Sequence, residues 1–119
     1  MTRRFPYPGL GYCEAVVSEG LVYAVATDPK LGADVEAQTR GTLAELDAIL
    51  ARTGSGRAGL LQATVYLADI SAKARMTAIW LDWIGPEENW PRRACVGVAL
   101  PDGCLVEITV TARVLDGSR

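Results

Sequence analysis

The chain alternates between apolar runs of strand length and longer segments with helical spacing. Tyr12 to Ser18 is short and mixed, and Leu21 to Ala26 is continuous, apolar and rich in Val and Tyr. Ser18-Glu19-Gly20 between them is turn chemistry, so the two runs read as a hairpin. Thr27 to Ala33 contains Pro29 and Gly32 and reads as loop. Asp34 can cap a helix in which Val35, Thr39, Leu43, Leu46 and Leu50 recur at helical steps, the pattern of one buried face. Gly54 stands where a helix ends. Gly41 falls inside the helix, where glycine costs about 1 kcal/mol against alanine, so close packing against a strand is expected there.

Leu60 to Leu67 alternates, with Leu61, Ala63, Val65 and Leu67 on one face and Gln62, Thr64 and Tyr66 on the other. Ser71 is then expected to cap a second helix whose apolar face is Met76, Ile79, Trp80, Trp83 and Ile84, stopped by Gly85-Pro86. Two apolar strands follow, and 115–119 should fray. The order β-β-α-β-α-β-β predicts an α+β fold, a single domain over 1–119, with two helices on one face of one sheet.

The last two runs flank Pro101-Asp102-Gly103. A two-residue loop would pair Val98 with Glu107; a three-residue loop with Gly103 left-handed pairs Gly97 with Glu107 and Cys95 with Thr109. If the two strands are sheet neighbours, the second register leaves one clean apolar face. It puts Arg93, Cys95, Gly97, Glu107, Thr109 and Thr111 together on the face away from the helices. Such an open face, part apolar, suits self-association.

Composition narrows the chemistry. The 119 residues carry a net charge of −2, which argues against a sequence-independent nucleic-acid binder. No apolar run is long enough to span a bilayer. Three cysteines without a CxxC suit free thiols in a reducing compartment, and the expectation is a cytoplasmic protein. There is no histidine, so Ser-His-Asp, Cys-His and HExxH chemistry are all excluded. The loop 54–59 has the glycines of a phosphate loop without its GK[ST] and reads as plain connection.

Several segments, in order, resemble the RidA/YjgF family of reactive-intermediate deaminases. They are Tyr12-Cys13-Glu14-Ala15-Val16, Glu36-Ala37-Gln38-Thr39-Arg40, Thr64-Val65-Tyr66-Leu67-Ala68-Asp69, and Pro91-Arg92-Arg93-Ala94-Cys95-Val96 with Leu105-Val106-Glu107-Ile108. The resemblance implies a chorismate-mutase-like fold, a homotrimeric barrel with ligand clefts between subunits, and no metal or cofactor. It implies hydrolysis of 2-imino acids or their enamine tautomers to 2-keto acids and ammonia. By the same match Arg93 grips the substrate carboxylate and Glu107 positions the attacking water. Tyr12 helps to close the pocket and Cys95 forms part of its wall. Val25-Ala26-Thr27 stands where most relatives have S-G-Q, with a backbone carbonyl near Ala26 offered to the substrate nitrogen. The partners expected are a small 2-imino or 2-keto acid and further copies of the chain, without nucleic acid or membrane. The alternatives are a non-catalytic binder of small carboxylates in the same cleft and, less favoured, an endoribonuclease.

Overall fold

The computed structural model describes residues 1–115. Six strands form one sheet: β1 (Thr2–Pro6), β2 (Cys13–Ser18), β3 (Leu21–Thr27), β4 (Leu60–Leu67), β5 (Arg92–Gly97) and β6 (Val106–Arg113), in the order β1-β2-β3-β6-β4-β5. Two helices, α1 (Val35–Arg52) and α2 (Lys73–Ile84), pack on it. The α+β class with two helices and one sheet is as the sequence predicts. Strand β1 is an addition to the predicted order: its exposed, arginine-bearing sequence offers no alternation to read, and it is held by its pairing with β2.

Several local signals have their counterparts in the structure. Glu19 and Gly20 take positive φ values of 53° and 80°, which a tight hairpin turn between β2 and β3 requires. The Asp34 side chain accepts from the Ala37 backbone N–H at the start of α1, and Gly54 follows its last turn with φ 83°. At α2 the cap differs from expectation. Asp69, not Ser71, accepts from the chain, and Ser71 falls within a short 3-10 turn (Ile70–Ala72) that leads into the helix. Leu61 also departs from its predicted face. A bulge between Leu60 and Gln62 turns Leu60 into the core and leaves Leu61 exposed. Leu115, predicted to fray, donates its backbone N–H to Gly54 O at 2.8 Å; the rest of that tail lies outside the described residues.

The core lies between sheet and helices. Ala15, Ala24, Val110 and Ala63 form one row across four strands, and Ala26, Ile108 and Val65 form the next. Leu43, Leu46, Ile49 and Leu50 of α1 and Met76, Trp80 and Ile84 of α2 close over them, all buried. Gly41 is explained by a carboxylate rather than a strand. A Cβ there would sit 2.3 Å from Oδ1 of the buried Asp28, which accepts from the backbone N–H groups of Lys30 and Gly32.

The largest correction concerns the last two strands. They are not neighbours. β5 runs parallel to β4 at the sheet edge, joined to it by α2, while β6 inserts between β3 and β4 antiparallel to both. The turn itself forms, with Cys104 N–H donating to Pro101 O at 2.9 Å and Gly103 at φ 83°. A turn reverses the chain locally but does not oblige the flanking strands to pair. A strand–helix–strand crossover places β5 beside β4, and the fully alternating β6, with Val106, Ile108, Val110 and Ala112 buried, takes the interior position.

Candidate active site

The changed topology reverses the faces of β5. Arg93 pairs with Ala63, Cys95 with Val65 and Gly97 with Leu67, so these three look toward the helix layer. Glu107 lies between Thr27 and Tyr66, and Thr109 between Val25 and Thr64, all on the open face. The expectation that Arg93 and Cys95 share a face with Glu107 is therefore overturned within one chain. Ala94 and Val96 take that place. Two strand spacings, about 10 Å, and the thickness of the sheet separate the arginine from the carboxylate.

Arg93 is half-buried and held by α2. Its Nη2 donates to Thr77 Oγ1 at 3.0 Å, its Nη1 approaches Met76 Sδ at 3.8 Å, and its Cζ lies 5.3 Å from the centre of the Trp80 ring. These contacts orient the guanidinium, and none of them supplies an anion. Neither Arg93 nor Glu107 belongs to any ion pair among the described residues. Trp80 is a core residue, as its place on the apolar face of α2 suggests, and it also carries this cation–π contact. Cys95 is half-buried and packs against the core edge near Arg93's strand position.

Glu107 opens onto a cleft of about 490 Å³ lined by Tyr7, Tyr12, Val25, Ala26 and Thr27. Two expected site residues, Tyr12 and Ala26, are thus brought to Glu107, while Arg93 and Cys95 are not. The buried methyl of Ala26 belongs to the core, so its contribution to the cleft is backbone. The cleft exists because β2 stops pairing with β3 at Ala24, whereas β3 continues along β6 to Thr27. The backbone of 25–27 is thereby left with one free side, a source of unpaired donors and acceptors. The chain before β2 curls over this gap, with Gly9 and Gly11 at φ 78° and 82° and Tyr7 N–H donating to Tyr12 O at 3.0 Å. The two tyrosine rings meet edge-on at 5.3 Å.

Tyr7 was not anticipated. The only signal for it is a second tyrosine across a turn rich in Gly and Pro, which by itself names no partner. Burial, followed by the nearby charges of Glu14 and Glu45, pushes its phenol above the ordinary value, so it remains a neutral hydroxyl. Cys104, in the turn before β6, is buried, and its thiol is likewise raised by desolvation. No group of three or more His, Cys, Asp or Glu residues among those described is arranged to hold a metal ion. None of the described helices is long and apolar enough to cross a membrane.

Comparison with known proteins agrees with this architecture. The family model described as endoribonuclease L-PSP matches residues 2–114. A RutC family protein of Haemophilus ducreyi is 31% identical over 106 residues, covering 87% of this chain and 89% of that one. A RutC family protein of Synechocystis is 33% identical over 120 residues, with 93% and 92% covered. A crystal structure of a YjgF-family protein from Neisseria meningitidis superposes with a TM-score of 0.91 at 34% identity, covering 98% of both chains. A YjgF/YER057c/UK114 family member from Mycobacterium tuberculosis gives 0.85 at 28% identity, covering 96% of this chain and 100% of that one. Sheet order, helix placement and sequence thus agree over nearly the whole length, and the chain belongs to the RidA/YjgF family, the RutC and endoribonuclease L-PSP proteins of these comparisons.

Proposed function

We propose that this protein hydrolyses 2-imino acids, or their enamine tautomers, to 2-keto acids and ammonia in clefts completed by two copies of the chain in a homotrimer. The observation that carries the reading is the half-buried Arg93, oriented by Thr77 and Trp80 yet without an anionic partner among the described residues. A planar guanidinium fixed in this way is suited to both oxygens of a substrate carboxylate. Glu107, in no ion pair among the described residues and facing its cleft, supplies the second requirement. Because the two residues lie on opposite faces of one sheet, the Arg93 of one copy serves the Glu107 of another.

The chemistry needs only these groups and water. Water adds to the carbon of the protonated imine as the Glu107 carboxylate takes its proton, giving a carbinolamine. Glu107 returns that proton to the nitrogen, the C–N bond breaks as the hydroxyl proton passes to the Glu107 carboxylate and the oxygen forms the carbonyl, and ammonia leaves. The backbone of 25–27 offers acceptors for the substrate nitrogen during these steps. Tyr12 limits access to the cleft and Cys95 is a wall beside the anchor.

The test is an assay in which 2-iminopropanoate or 2-iminobutanoate is generated in situ. Wild-type protein should accelerate keto-acid release, Glu107→Gln should abolish the acceleration while retaining keto-acid binding, and Arg93→Ala should lose both. Full-rate turnover by Glu107→Gln would remove the water-activating role. Binding of keto acids by wild type with no turnover at all would mean a carboxylate-binding protein.

A further inference from the structure

We infer that the side chain of the preferred substrate is a bulky apolar or aromatic group, seated between Tyr7, Tyr12 and Val25. This rests on the proposed deaminase reading of the same site. With the carboxylate on Arg93 and the reacting carbon at Glu107, the rest of the molecule extends into the gap where β2 leaves β3. Its walls are the two edge-stacked tyrosine rings, 5.3 Å between centres, and the half-buried Val25.

The polar groups on this wall do not favour a charged side chain. Among the described residues that line the cleft, Thr27 is the one hydroxyl-bearing residue besides the tyrosines. The Tyr7 phenol is kept neutral by burial. Glu107 itself disfavours a second carboxylate. A hydrophobic group removed from water here gains about 25 cal/mol for each Å² of apolar surface covered, and an aromatic group can add an edge-to-face contact with the tyrosine pair.

The experiment compares product acids as probes on the intact protein by titration calorimetry. The acids are 2-oxobutanoate, 4-methyl-2-oxopentanoate and phenylpyruvate. The larger two should bind at least about tenfold more tightly than 2-oxobutanoate, the discrimination that apolar pockets commonly reach. Val25→Ser should narrow that ratio, and Tyr7→Ala should weaken phenylpyruvate more than it weakens 2-oxobutanoate. Equal or weaker binding of the larger acids, with 2-oxobutanoate still bound and still dependent on Arg93, overturns the inference and leaves the deaminase reading intact. Binding of none of the three removes both. Should either variant fail to fold, the wild-type ratio decides alone.

Discussion

Gln38 shows how much of this molecule rests on single side chains. Its amide is buried, donates to Gly32 O at 2.9 Å and Gly103 O at 2.7 Å, and accepts from Leu105 N–H at 2.7 Å. One residue of α1 thereby ties down both the loop that follows β3 at Thr27 and the turn that leads into β6 at Val106. Gln38→Leu keeps the volume but strands three backbone groups, and should cost about 3 kcal/mol, read as a lower denaturant midpoint. The neighbouring Gly41 makes the opposite case. Alanine is the better helix former, yet its methyl would collide with the Asp28 carboxylate. Gly41→Ala should therefore destabilise by about 1–3 kcal/mol, measured the same way, where propensity alone predicts a gain. The sequence signalled an obligatory glycine at that position, but not its reason, because the contact runs to a loop carboxylate outside any periodic pattern. Gln38 was legible only as a motif residue; its three partners lie on two connections distant in sequence.

At the level of elements, periodicity located both helices and all but one of the strands, since burial of a single face leaves a repeat that survives in one sequence. What it could not give was which strands touch. Pro101-Asp102-Gly103 forms the turn that its residues specify, yet β6 departs to pair with β3 and β4, because the α2 crossover had already committed β5 to the outer side of β4. That one pairing decides which face Arg93 occupies. Element ends also carry the pH response. Asp69 at the entry to α2 is held below the ordinary carboxylate value by hydrogen bonds from Ser71, and Glu36 on α1 by its hydrogen bonds from Arg75 on α2. A carboxyl whose folded pKa is depressed stabilises above its unfolded pKa and loses that contribution as pH falls through the folded one. Wild type should therefore exceed Asp69→Asn in stability near neutrality and converge with it in acid, as urea midpoints at about pH 7 and about pH 3 would show. Both groups are solvent-exposed, so the difference should be modest and reduced by salt.

The molecule as a whole presents an unusual division. The helix layer covers one face of the sheet, and the other carries Val16, Tyr23, Thr64, Tyr66, Thr109 and Glu107 in continuous rows. Arg93 and Glu107 stand on opposite sides of this sheet, so the proposed reaction demands contributions from different copies. That requirement can be tested by mixing two inactive proteins. Arg93→Ala retains Glu107, and Glu107→Gln retains Arg93. If each site draws one of the two residues from each neighbour around a closed ring, trimers reassembled from equal amounts of both variants contain some interfaces where the intact arginine meets the intact glutamate. With random assembly about one interface in four is of this kind, so co-refolded mixtures should recover about a quarter of wild-type turnover while each variant alone stays inactive. A site built within one chain would recover nothing at any mixing ratio, since every chain in the mixture lacks one of the pair.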